Sequence, residues 1–235
     1  MFERPHHQRI AVVLEALDAA LFVQHRCYFG GGTAIALSRD EFRESVDIDL
    51  MVSDTNGYRA LRELLTQSGG INHVLRATPS GSSSVTQARE IRADQYGIRT
   101  MLEVAGAPIK FEIVLEGRIS LDAPSAAEQI CGMATLSAID RIASKLLANS
   151  DRWADDANYS RDVIDLAMLA APRALFRQGI EKAKLAYGNS IETDLTKAIN
   201  RLQERQGWLD RCMQAMAMTL PRQVLWKRLK SLARM

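Results

Sequence analysis

Cysteine is scarce in this chain, with Cys27, Cys131 and Cys212 the only three in 235 residues. Scattered and odd in number, they indicate neither a disulfide framework nor a zinc cluster, and reduced thiols are expected. Histidine is nearly as rare. His6 and His7 lie near one chain end, while His25 and His73 stand alone, so no spaced ligand set forms. No apolar run approaches the length needed to cross a bilayer, and the first twenty residues carry acids in an amphipathic pattern unlike a secretory signal. Residence in the cytoplasm is therefore expected. An excess of one charge sign is also missing: 30 basic and 28 acidic residues leave a net charge of +2, which does not announce a nucleic-acid binder. Catalytic chemistry should be sought among the carboxylates.

What the chain does have is enough apolar sequence, 47% of residues, to bury a full core. One bilobed unit or two small domains are expected. Apolar spacing at helical period (Ile10, Val13, Leu14, Leu17, Leu21) predicts a helix from about His7 to Gln24, before a strand over Arg26 to Phe29. Gly31-Gly32-Thr33 then reads as a turn opening a short helix, and Val46 to Val52 as a strand. A helix capped by Ser53 or Asp54 and stopped by Gly69-Gly70 should follow. Beyond Ile71 short strands are expected, interrupted by a polar loop at Pro79-Ser80-Gly81-Ser82-Ser83-Ser84 beside the site. A hairpin of Gly97 to Val104 and Pro108 to Leu115 comes next. After Asp122-Ala123-Pro124 the composition turns helical, with segments near 137–149, 159–170, 173–187, 191–205, 208–218 and 222–234. The expected division is thus 1–123 and 124–235.

Charge is uneven along this plan. In the tail PRQVLWKRLKSLARM, Arg222, Lys227, Arg228, Lys230 and Arg234 would surround an apolar stripe of Val224, Leu225, Leu229 and Leu232. Such a helix either docks with a solvated polar face or contacts an RNA backbone.

The pattern richest in chemistry is YFGGGTAIALSRDEFRESVDIDLMV. Asp47 and Asp49 are two apart on a strand, so they point the same way with Cα atoms about 6.5–7 Å apart. Two ionised carboxylates so placed repel unless a cation or a basic partner neutralises them. They read as a divalent-cation site, or as an exposed acidic strand face. A glycine turn between a strand and a helix lets backbone N–H groups and the Thr33 hydroxyl converge on a triphosphate, with Arg43 and Ser45 available to add charge or a hydroxyl. In the later hairpin, Lys110 and Glu112 share the face opposite Ile109, Phe111 and Ile113, which makes Glu112 a candidate third acid. Lys145, Asp162 and Asp165 lie on predicted helices, where Arg152 and Arg161 could pair with the acids.

GGTAIAL, RESVDIDL, KFEIV and then Lys145 followed by RDVIDL, in that order, resemble the nucleotidyltransferases of the DNA polymerase β superfamily. Within that superfamily they are most similar to the AbiEii/AbiGii abortive-infection toxin family, over roughly residues 27 to 170. The resemblance implies an α+β fold, with a polymerase β-like mixed sheet and flanking helices followed by a helical C-terminal domain. It further implies that Asp47, Asp49 and Glu112 hold Mg²⁺ or Mn²⁺, and that Lys145 and Asp162 join them in catalysis. Gly31, Gly32, Thr33, Arg43, Ser45, Lys145, Arg161 and Asp165 would bind the NTP.

The expected reaction is transfer of a nucleoside monophosphate to an acceptor hydroxyl, with two cations flanking the in-line displacement and Glu112 or a neighbouring carboxylate taking the proton. By resemblance the acceptor is a tRNA, the outcome is translation arrest, and an antitoxin protein is the partner. The RNA path would lie along the basic tail and near Arg89, Arg92 and Arg99. Nucleotidylation of a protein, or a catalytically silent nucleotide- or partner-binding module, are the alternatives.

Overall fold

The computed structural model describes residues 2–77 and 84–235, and these divide into two compact units. The first takes residues up to Leu37 together with Val46–Ser137; the second takes Ser38–Ser45 and Ala138–Met235. A shift in composition predicts a boundary at 123/124, whereas the division by packing falls after Ser137. The reason is a small hairpin, Gln129–Ile130 with Met133–Ala134, after which Thr135 bridges Phe29 and the Leu136 N–H donates to the Phe29 carbonyl. The expected loop at 79–84 lies outside the described residues except for Ser84.

In the first unit, helices α1 (Pro5–Ala16) and α2 (Ala19–Gln24) replace the single helix predicted over 7–24. Leu17 is extended and bridges Leu75, and Arg76 bonds both Ala16 and Leu17 carbonyls, so a tertiary pairing interrupts the helical period. Asp18 restarts the helix by accepting from the Leu21 N–H. Strand β1 (Cys27–Phe29), helix α3 (Gly31–Ser38), strand β2 (Asp47–Val52) and helix α4 (Thr55–Thr66) follow, the last capped by Asp54. Where short strands are predicted from Ile71, residues Gly70–Val74 instead form a 3₁₀ turn. Strands β3 (Val85–Gln87), β4 (Arg92–Ala93), β5 (Gly97–Val104) and β6 (Ala107–Leu115) complete the main sheet, and β7 (Gln129–Ile130) pairs with β8 (Met133–Ala134).

The sheet order is β1-β2-β6-β5-β3, with β4 paired to β5. Among the described strands only β2 and β6 pair in parallel; β5 and β6 form the hairpin that the sequence predicts, and the other pairs are antiparallel. Strict alternation puts Ile48, Leu50, Ile109, Phe111 and Ile113 into the core with Ile10, Val13 and Leu14 of α1. The opposite face is left to the polar partners of those residues.

The second unit contains α5 (Ala138–Arg152), α6 (Arg161–Leu169), α7 (Arg173–Tyr187), α8 (Ser190–Glu204), α9 (Trp208–Ala215) and α10 (Arg222–Leu232). Helices α5 and α7 cross at Gly179, where a Cβ would stand 2.4 Å from Ile142 Cγ2, so only glycine permits the approach. Residues 42–44 join this unit through Glu44 N–H to Met216 O (2.9 Å) and Thr219 N–H to Phe42 O (3.2 Å). On α10, Leu225, Leu229 and Leu232 are buried at i, i+4, i+7, and Val224 falls off the edge of that stripe at 41% exposed, against its predicted place within it. No helix among the described residues is long and apolar enough to cross a membrane.

Candidate active site

In the sheet unit, the predicted glycine turn is the first turn of α3. Gly31 begins that helix at φ +66°, and a Cβ there would lie 2.3 Å from Asp49 Oδ2. The missing side chain is therefore what lets the Asp49 carboxylate rest against the start of a helix, where exposed N–H groups favour negative charge. Two further bonds fix the helix end to β2. The Gly30 N–H donates to the Asp49 carbonyl at 2.8 Å, and the Thr33 hydroxyl donates to the Asp47 carbonyl at 2.5 Å. Thr33 is buried, and this bond is a structural use of a hydroxyl expected at a triphosphate. Ser45 is half-buried just before the strand.

Strand register then extends the charged face. In the parallel pair, Asp47 stands beside Lys110 and Asp49 beside Glu112; in the hairpin Glu112 stands beside Arg99, and Arg99 beside Arg92. Asp49, Glu112, Arg99 and Arg92 thus form one row across four strands. Both oxygens of Glu112 are engaged: Arg99 Nε donates to Oε1 at 2.6 Å and Lys110 Nζ to Oε2 at 2.7 Å. Arg99 is held in turn by Asp94 at 2.9 Å. Burial pushes the Glu112 carboxyl up, but the bonds from Lys110 and Arg99 prevail and hold it below its ordinary range. Burial likewise pulls the Lys110 ammonium down, and the charge of Glu112, with Asp47 and Asp49 behind it, outweighs this and raises it.

The fold implies a divalent cation beside the carboxylates of this face. Asp47 and Asp49 suit it: two carboxylates on one strand face supply the oxygen ligands that a hard cation takes. Both oxygens of Glu112 accept from Arg99 and Lys110. Among the described residues, no three His, Cys, Asp or Glu side chains are grouped as metal ligands.

In the helical unit, Lys145, Asp162 and Asp165 form a buried ionic network. Lys145 Nζ lies 2.9 Å from both Asp162 Oδ1 and Asp165 Oδ2. Arg43 grips Asp165 with both branches, Nε to Oδ1 at 2.7 Å and Nη2 to Oδ2 at 2.9 Å, while Arg152 holds Asp162 at 2.7 Å. Burial raises both aspartates, yet Lys145 and Arg152 pull Asp162 far down, and Arg43 and Lys145 lower Asp165. Three cations against two carboxylates leave one positive charge in surplus. Arg43 therefore sits in an ion pair of this unit, and Arg161, the first residue of α6, is half-buried outside the described pairs.

Arg152 pairs with Asp162 as the sequence suggests, whereas the places of Lys110 and Arg99 around Glu112 are not evident from spacing. Lys110 was visible, because K-x-E on β6 alternates as D-x-D does on β2. Its position beside Asp47 depends on a register that only the folded sheet defines.

The family model of the nucleotidyl transferase AbiEii toxin, of type IV toxin–antitoxin systems, matches residues 13–229. Two crystal structures from Helicobacter pylori share the fold. JHP933 superposes with a TM-score of 0.56 at 15% identity, covering 100% of this chain and 92% of its own. A second, described as a candidate nucleotidyltransferase, gives a TM-score of 0.53 at 16% identity, with coverage of 97% and 92%. No curated protein sequence matches the chain. The match spans most of both units, and the chain belongs to the AbiEii family of nucleotidyltransferase toxins, whose type IV toxin–antitoxin setting implies a cognate antitoxin as partner.

Proposed function

We propose that this toxin transfers a nucleoside monophosphate from an NTP to an acceptor hydroxyl, with release of pyrophosphate. The bond from the acceptor oxygen to the α-phosphorus forms, the bond from that phosphorus to the leaving pyrophosphate oxygen breaks, and the hydroxyl gives up its proton. One observation carries the reading: Asp47 and Asp49 share a strand face, and Asp49 lies against the glycine that opens α3. Asp47 and Asp49 would hold Mg²⁺ or Mn²⁺, which when bound activates the hydroxyl and offsets triphosphate charge. The Gly31-Gly32 backbone offers N–H groups to phosphate oxygens. With both Glu112 oxygens engaged by cations, the proton falls to a carboxylate of the aspartate pair.

The acceptor in this reading is tRNA, its modification stops translation, and the reaction is cytoplasmic. Support comes from the chain's end, where residues 211–235 contain six basic side chains and no acid. On α10 and just beyond its end, Lys227, Lys230 and Arg234 are exposed near Trp226, an arrangement suited to phosphates and a stacked base.

Incubation with each α-labelled NTP, Mg²⁺ and total tRNA tests the proposal. Label on RNA, absent with Asp49→Ala of unchanged thermal melt, is the expected result. Label on protein alone would move the acceptor to a polypeptide, and binding of NTP without transfer would leave a silent module.

A further inference from the structure

A carboxylate whose two oxygens already accept charge-assisted bonds is poorly placed to bind a metal ion. Glu112 is such a group: Arg99 occupies Oε1 and Lys110 occupies Oε2, with Asp94 holding Arg99 from its other side. Freeing it would leave an ammonium and a guanidinium without their shared counter-ion. Lys110, in contrast, is well placed to act. Its side chain is 45% exposed, it stands in register beside Asp47, and only one of its three N–H donors is taken up by Glu112.

We propose that this site takes one divalent cation, at Asp47 and Asp49, and that Lys110 supplies the second positive charge from the protein itself, with Glu112 as its positioning residue. The inference rests on the nucleotidyl-transfer reading for the presence of the cation, and it alters how the charge is shared. The two remaining ammonium donors would suit oxygen acceptors, as triphosphate oxygens are. A fixed lysine here also explains how three carboxylates can share one sheet face: Lys110 and Arg99 bring the five-residue group Asp47, Asp49, Glu112, Lys110 and Arg99 to a net charge of −1, which one divalent cation more than offsets.

Counting Mn²⁺ on the full chain tests this, with Mn²⁺ alone as the probe and free ion read by electron paramagnetic resonance. The expected count is one for the wild type and still one for Glu112→Gln, with none for Asp49→Asn. Lys110→Met should tighten binding by on the order of tenfold, the effect of removing one neighbouring like charge near a protein surface. Lys110→Arg, which keeps the charge, should stay at the wild-type affinity, and Lys110→Gln repeats the test if the methionine variant melts early. Two ions on the wild type, loss of an ion with Glu112→Gln, or unchanged or weaker binding with both Lys110→Met and Lys110→Gln would overturn the proposal. Failure of nucleotidyl transfer itself would show separately, as unlabelled acceptor with these counts intact.

Discussion

A methyl group at position 31 would stand 2.3 Å from Asp49 Oδ2 on a backbone at φ +66°, so Gly31 meets two demands at once. Gly31→Ala is expected to lose about 1–2 kcal/mol from the left-handed backbone alone. It should also lose nucleotidyl transfer, because Asp49 must move; a melting curve and the labelled-NTP assay separate the two effects. Asp165 makes a different demand. It is fully buried between Arg43 and Lys145, and its removal strands the buried Arg43 and leaves Lys145 with Asp162 as its remaining carboxylate. Asp165→Ala should cost about 3–5 kcal/mol, read by urea unfolding. An unchanged midpoint would show that the Arg43–Asp165–Lys145 contacts contribute little.

Helix α6 concentrates this behaviour, since Asp162 and Asp165 are buried on it and both are held below their ordinary pKa by Lys145, Arg152 and Arg43. A carboxylate with a depressed folded pKa stabilises the fold fully above its unfolded value, about 4, and loses that contribution as pH falls toward the folded value. Stability should therefore hold from pH 7 to about 5 and fall steeply below about 4. Asp162→Asn should flatten the acid limb of a melting-temperature profile. Much of this element was legible in the sequence: the α6 apolar period, the β2 alternation and the span of α7 all come from short-range pattern. What was not legible is long-range. Arg43 and Asp165 are 122 positions apart, so no spacing reveals that they pair. The break at Leu17 has the same origin, because Leu75 and Arg76 draw the chain out of helix. Glu112 was found by its parity on β6, while the two cations on it were not, because their placement follows from the β2–β6–β5 register.

At the scale of the whole chain, a near-neutral sequence separates its charges, with a pair of acids on β2 and an acid-free basic end over 211–235. Such separation steers a polyanion without requiring a high overall charge. The proposed RNA binding should accordingly weaken with salt, and the combined Lys227→Ala, Lys230→Ala and Arg234→Ala variant should shallow the log–log slope by about two to three units. The proposed nucleotidyl transfer takes place at the α-phosphorus, as opposed to the γ-phosphorus of a phosphoryl transfer. Parallel reactions with α-labelled and γ-labelled NTP, in the presence of tRNA and Mg²⁺, test that claim most directly. The expected result is acceptor label from the α-labelled nucleotide alone, with the γ label recovered as pyrophosphate and neither seen with Asp49→Ala. Label on the acceptor from the γ-labelled nucleotide would contradict it, because the enzyme would then transfer a phosphoryl group.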